Sequence, residues 1–329
     1  MDSREIVRRT LEFEYPERVA HSFSPSDFVW AGPEIPNLEG EWRKINDREW
    51  RRTDEWGNLW GRVDGTSKGE IVKGALHDLN DVATFPLPDF SNPEYYLRAK
   101  GIFAMQPGLW HIGSVHGFTF SMARKLRRLE QYLMDLLLER DKIGILHDRI
   151  DEQIEIQMKR LREAGADCIM FAEDWGTQTR TLVSPKLWRE EFKPRFTALC
   201  SCAHSLDTKV FMHSCGKITA IIPDLVEAGV DLFQFDQPRI HGIDTLREMQ
   251  GLGKVTYWCP VDIQTTLQTK DETLIRHEAR ELLGKLWQGR GGFIAGFYTD
   301  EASIGLEPKW QQMACDEFLQ RGKRELFTS

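Results

Sequence analysis

From about residue 100 onward the apolar positions of this chain follow two alternating patterns: short runs, and longer stretches with a three-to-four-residue repeat. The short runs read as strands and the long stretches as amphipathic helices. Strands are predicted at 101–105, 109–115, 167–172, 209–213, 231–235, 254–259 and 292–297. Helices are predicted at 121–139, 141–164, 185–205, 217–228, 242–250, 271–288 and 307–320. Pro185 stands in the first turn of its helix, where a missing N–H costs nothing. Each of the last five strands is followed by a helix, the pattern of parallel strands joined by crossovers. Upstream, Ile6, Val7, Thr10 and Leu11 space an apolar face over a helix at 1–17, closed by Pro16, and 18–23 forms a further strand. The total of eight strands points to an α/β fold, a distorted (β/α)8 TIM barrel forming a single domain over 1–329. An open doubly wound sheet is the alternative, but no G-x-G-x-x-G follows any strand.

The stretch 24–95 breaks this regularity. It reads as irregular and holds Trp30, Trp42, Trp50, Trp56 and Trp60. Residues 54–61 suggest a hairpin turning at Gly57–Asn58. An insertion of this length in a compact domain is expected to form a lid or side wall over a pocket, with a decorative insertion as the plainer reading.

In a barrel the C-terminal ends of the strands carry the chemistry. Here they read Glu173-Asp174-Trp175-Gly176, His213-Ser214-Cys215-Gly216, Asp236-Gln237-Pro238, Cys259-Pro260-Val261-Asp262 and Tyr298-Thr299-Asp300-Glu301. Residues two apart on a strand face the same side, so His213 and Cys215 can meet at one point, and imidazole with thiolate is a zinc-type ligand pair. The plainer reading is a buried histidine and a small buried thiol. A catalytic zinc takes about three protein ligands. Cys259 is the first choice for the third, because Pro260 cannot donate to the ladder and should loosen it there. Glu173, Tyr298 and Asp300 are the other choices. Glu173 or Asp174 would act as general acid or support His213 from behind. Tyr298 and Asp300 complete the catalytic candidates, and Gln237 and Asp262 are candidates for cofactor binding. Any one of Asp236, Asp262 and Asp300 could instead cap the helix that follows it, a reading that explains the whole set less well. Cys200 and Cys202 lie in a helical pattern on different sides and, with Cys315, read as core residues.

Composition narrows the class. A formal net charge of −8 argues against a general nucleic-acid binder. No apolar run is long enough to span a membrane. The first residues lack an apolar signal core, and the six cysteines then suggest reduced thiols in a cytoplasmic setting.

The motifs EDWG at 173–176, LVSP at 182–185, HSCG at 213–216, EAGVD at 227–231 and GGF at 291–293 occur in the order found in the uroporphyrinogen decarboxylase superfamily. The chain resembles that superfamily well over 167–318 and loosely in its N-terminal third. The resemblance implies a distorted (β/α)8 barrel. True uroporphyrinogen decarboxylases carry an arginine-rich N-terminal motif and use no metal, whereas 22–33 of this chain, SFSPSDFVWAGP, has no arginine. The other branch, the corrinoid-dependent methyltransferases, uses H-x-C and a later cysteine as zinc ligands. His213 and Cys215 match the first two. The later cysteine should fall near 296–298, where Gly-Phe-Tyr stands instead, which shifts the third ligand to Cys259 or Tyr298. The resemblance thus implies a zinc-dependent methyltransferase acting between a small substrate and a corrinoid carried by a partner protein. A metal-independent decarboxylase and a non-catalytic tetrapyrrole-binding protein are the alternatives.

Overall fold

Eight short parallel strands hydrogen-bond side by side around a barrel in the computed structural model, which describes residues 1–35, 40–65 and 67–327. The barrel strands are β1 (Ala20–His21), β2 (Phe28–Ala31), β7 (Trp110–Ser114), β8 (Cys168–Ala172), β9 (Lys209–His213), β10 (Leu232–Gln234), β11 (Thr256–Cys259) and β12 (Phe293–Ala295). Between β2 and β7 the chain forms a separate four-stranded antiparallel sheet of β3 (Arg43–Asn46), β4 (Glu49–Thr53), β5 (Leu59–Arg62) and β6 (Glu70–Lys73). The barrel order is β1-β12-β11-β10-β9-β8-β7-β2, so β1 and β2 are its two ends, and the distortion lies there. Asp27 holds that seam. Its N–H donates to the His21 carbonyl at 3.1 Å, and its carboxylate accepts the His21 N–H at 2.8 Å. The Arg18 guanidinium grips the same carboxylate with two bonds of 2.6 and 2.8 Å, a charge-assisted fork that satisfies a buried acid.

Alternation along the strands sorts their side chains into two sets. Ala20, Phe28, Trp110, Ile112, Cys168, Phe211, Leu232, Trp258 and Ile294 fill the barrel. The helix Ser3–Glu12 closes its floor with Ile6, Val7 and Leu11 in the same cluster. Asp2 caps this helix by accepting the Glu5 N–H at 2.9 Å, and Phe13, in the left-handed conformation, ends it before Pro16 is reached. Ile169, Phe171, Val210, Met212, Phe233, Tyr257 and Phe293 point the other way, into the layer beneath the outer helices. Burying each of these large side chains contributes roughly 1.5–3 kcal/mol.

The expected count of eight barrel strands holds, but its membership changes. Residues 101–105 lie in the helix Leu97–Met105, which buries Ala99 and Phe103 four positions apart. The missing strand is β2, inside the stretch read as irregular. A five-residue apolar run has no period of its own to tell helix from strand. The helix expected at 121–139 is two, Thr119–Arg127 and Leu129–Leu138, broken at Arg128 with φ of 62°. The one expected at 185–205 divides into Pro185–Glu191 and Lys193–Ser205, since Pro194 has no N–H to carry a helix through. Among the described residues no helix is long and apolar enough to cross a membrane.

The antiparallel sheet corrects the irregular reading of 24–95 and shows what most of its tryptophans do. Arg52 lies 5.2 and 5.1 Å from the Trp42 and Trp60 rings, and Arg62 lies 4.3 and 5.0 Å from Trp42 and Trp50. The sheet is thus laced by cation–π stacks. The hairpin at 54–61 is present, with Thr53 paired to Leu59 and Gly57 at φ of 81°. Its turn is organised by the buried Asp54 carboxylate, which accepts from Trp56 N–H (3.0 Å), Asn58 N–H (2.8 Å), Asn58 Nδ2 (3.1 Å) and Trp60 Nε1 (2.7 Å). Asn58 in turn accepts the Ala75 N–H at 3.0 Å, and the Leu76 N–H donates to the Leu126 carbonyl at 3.0 Å, tying the sheet to the helix Thr119–Arg127. Removing a carboxylate that serves four donors leaves them dry, at roughly 1–3 kcal/mol for each that water does not reach. Asp54→Ala is therefore expected to lower stability by about 3 kcal/mol in urea unfolding, with Asp54→Asn losing less. An unchanged midpoint would show that the turn holds without its hub.

Candidate functional site

The register fixes which strand-end residues look inward. Ala172 pairs with His213, His213 with Gln234, Gln234 with Trp258 and Trp258 with Ile294, so these residues share one layer at the top of the barrel. His213 Nε2 lies 3.3 Å from Cys215 Sγ and 3.7 Å from Asp174 Oδ1. The three ligand atoms all fall within 4.8 Å of one another. For bonds of zinc length, the edges of a tetrahedron span about 3.3–3.6 Å, so one ion could take all three atoms with small adjustments. Asp174 is held in place: its Oδ1 accepts the Cys215 N–H at 2.9 Å, and Arg124 faces its Oδ2 at 3.8 Å.

Behind the imidazole, His213 Nδ1 donates to Gln234 Oε1, and Gln234 Nε2 donates to Asp236 Oδ1 at 2.6 Å. The carboxylate sets the orientation of the amide, and the amide sets the tautomer. The Nε2 lone pair is left facing Cys215 and Asp174, the arrangement that metal-binding histidines adopt. Burial raises the pKa of Asp236. Cys215 is exposed at the barrel mouth, yet desolvation by the protein around it, with the nearby carboxylates of Asp174 and Asp236, pushes its thiol up to about 12. A bound cation reverses that balance, since a coordinating thiol loses its proton. The donor set of one imidazole, one thiol and one carboxylate thus fits a zinc ion.

A cavity of about 450 Å³ opens onto this cluster. Its apolar wall is Trp30, Met170, Phe211 and Trp258, and its polar lining includes Lys68, Asp236, Gln237, Gln264, Tyr298 and Thr299. Gln237 and Tyr298, both anticipated from sequence, are in this lining. Asp300 stands at its rim, with its Oδ2 3.9 Å from Lys68 Nζ.

Three anticipated residues are placed elsewhere. Cys259 is fully buried and faces the outer layer, because Trp258 before it takes the inward position. The ladder does not loosen at Pro260: the Gly296 N–H donates to the Cys259 carbonyl at 2.9 Å. Asp262 caps the turn that follows it, accepting from Gln264 N–H at 3.0 Å and Thr265 N–H at 2.9 Å. Glu173 points away from the cavity and accepts the Ser121 N–H at 2.8 Å, capping the helix Thr119–Arg127 from outside it. Gln234 and Lys68 are the site residues that sequence reading passed over. Gln234 had a signal, a lone polar residue in the apolar run DLFQF. Lys68 had none, since only the folded sheet brings its loop to the barrel mouth.

Burial raises the Glu173 carboxyl from the usual 4.5 to about 8, and its second oxygen has no hydrogen-bond partner among the described residues. The folded chain keeps this proton over a range where the unfolded chain has lost it, so its contribution falls as pH rises from 4.5 towards 8. Glu173→Gln, which stays neutral, is expected to gain stability over the wild type at pH 8 but not at pH 4. Urea midpoints at the two values test this, and equal differences at both would refute it.

The family description "Uroporphyrinogen decarboxylase (URO-D)" matches residues 66–297. A search of curated proteins returns no match. Among solved structures, a methyltransferase from Methanosarcina mazei superposes with a TM-score of 0.63 at 16% identity, covering 97% of this chain and 84% of that one. A family 10 endo-β-1,4-xylanase from Gloeophyllum trabeum gives 0.44 at 9% identity, covering 69% and 80%, too distant to bear on the site. The first of these likenesses agrees with the barrel described above. The family match spans well over half the sequence and includes Asp174, His213 and Cys215, and on that ground the chain belongs to the uroporphyrinogen decarboxylase family.

Proposed function

We propose that this chain is a zinc-dependent methyltransferase that moves a methyl group between a small substrate and a corrinoid carried by a separate protein. The observation that carries the reading is the convergence of His213 Nε2, Cys215 Sγ and the Asp174 carboxylate beside an aromatic-walled cavity. Asp174 takes the ligand position that the sequence had suggested for Cys259 or Tyr298. Family membership supports an enzyme of this class. When bound, zinc supplies Lewis acidity to a substrate thiol or methoxy oxygen. The chain's own residues do the rest. Gln234 and Asp236 hold the imidazole in one tautomer. Trp30, Phe211 and Trp258 keep water from one wall of the cavity. Gln237, Tyr298 and Thr299 offer neutral donors and acceptors that orient the substrate.

Metal analysis of the purified protein is expected to find about one zinc per chain, and His213→Ala, Cys215→Ser or Asp174→Ala to remove it. Gln234→Ala, which frees the imidazole to turn, should weaken zinc about 10–100-fold while leaving the ligands in place. Zinc binding no tighter in the wild type than in Cys215→Ser would sink the reading.

The charge of the cavity bears on the family's other chemistry. Among the described residues lining it, Lys68 is the one ammonium or guanidinium, too little to hold an octa-acidic tetrapyrrole. Assayed with uroporphyrinogen, the protein is expected to form no coproporphyrinogen. Steady product formation would move it to the decarboxylase branch.

A further inference from the structure

We infer that Lys68 makes this cavity selective for an anionic small molecule with a flat, apolar body, a carboxylate above all. The antiparallel sheet, rather than the barrel, would then choose the ligand. The inference rests on the reading of the cavity as the substrate site, but not on the metal.

The apolar wall is aromatic. The Trp30 ring centroid lies 5.7 Å from Phe211 and 5.8 Å from Trp258, and Phe211 and Trp258 stack at 5.1 Å. Trp30 keeps 41% of its surface exposed, whereas Trp258 keeps 4%. A face left open among packed rings suits a flat apolar group. Such rings also suit an organic cation, and the charge around them decides between the two. Lys68 comes from the loop between β5 and β6 and reaches the cavity lining from outside the barrel. Its partner Asp300 is 3.9 Å away, longer than a charge-assisted hydrogen bond, and the Lys68 side chain is 79% exposed. A ligand carboxylate could therefore take it over. The nearby acids keep their charge but have donors of their own, Asp236 in Gln234 and Asp174 in the Cys215 N–H with Arg124 facing it, so Lys68 is the cation of the lining that a ligand can pair with.

The test uses the full chain, both chelator-treated and zinc-loaded, titrated calorimetrically with benzoate, benzamide and phenyltrimethylammonium. Benzoate is expected to bind about threefold more tightly than benzamide, the margin of an ion pair to a largely exposed lysine. Lys68→Ala should erase that margin, Lys68→Arg keep it, and Trp30→Ala weaken both probes alike. Equal affinity for benzoate and benzamide, preference for phenyltrimethylammonium, absence of binding by all three, or a margin that survives Lys68→Ala would each overturn the inference. If the margin is found in chelator-treated protein that takes up no zinc, the methyltransferase reading falls and this inference stands.

Discussion

The site depends on a contact between two glycines. Gly176 follows β8 and Gly216 follows β9, and their backbones pass so closely that a Cβ on Gly216 would sit 2.4 Å from the Gly176 carbonyl carbon. Gly216 also has φ of 74°, a conformation costly to any other residue. The approach is locked by the Lys217 N–H, which donates to the Thr177 carbonyl at 2.7 Å. With the loops pressed together, Asp174 on one accepts the N–H of Cys215 on the other. A side chain at either glycine would drive the loops apart and take the carboxylate away from the sulfur. EDWG and HSCG are thus two halves of one structure, and each needs its glycine because of the other.

The barrel was legible in the sequence because its βα units repeat, and the reactive strand ends were legible because polar residues there interrupt apolar runs. His213 and Cys215 could be paired from spacing alone, since both lie on one strand end. Cys259 could not be placed in the same way. Alternation gives the relative facing of neighbours on a strand, but its phase against other strands is set by hydrogen-bond register. That register joins Trp258 to Gln234, and Gln234 to His213. Cys259, one residue further, therefore faces out. Asp174 was named from sequence only as a supporting acid or proton donor, because its place beside His213 and Cys215 requires the loop crossing at the two glycines. β2 was hidden for a different reason: four residues between Pro25 and Pro33 carry too little periodicity to stand out from the loop around them.

The tryptophan-rich segment divides its labour. Trp42, Trp50 and Trp60 stack on arginines within the sheet and stiffen it, and Trp56 packs under it against Phe90 at 5.8 Å. Only Trp30, which belongs to the barrel, reaches the cavity. The sheet's contribution to the site is therefore Lys68, a charged residue rather than the aromatic roof that composition suggested.

The electrostatics of Cys215 bear on how its sulfur is used. A nucleophilic cysteine needs its thiolate favoured by a cation, a helix N-terminus or an imidazolium. The Cys215 thiol instead keeps its proton, first through desolvation and then through Asp174 and Asp236, with Lys68 alone acting against them. The imidazole next to it is held at Nδ1 by Gln234, a neutral amide, and its Nε2 lies 3.7 Å from Asp174. One carboxylate, one thiol and the lone pair of a correctly turned imidazole converge on one point, and a divalent cation there would relieve the repulsion between carboxylate and thiolate. The cluster makes poor sense as a thiol nucleophile with its base and better sense as a set of ligands, and the proposed zinc reading rests on that balance.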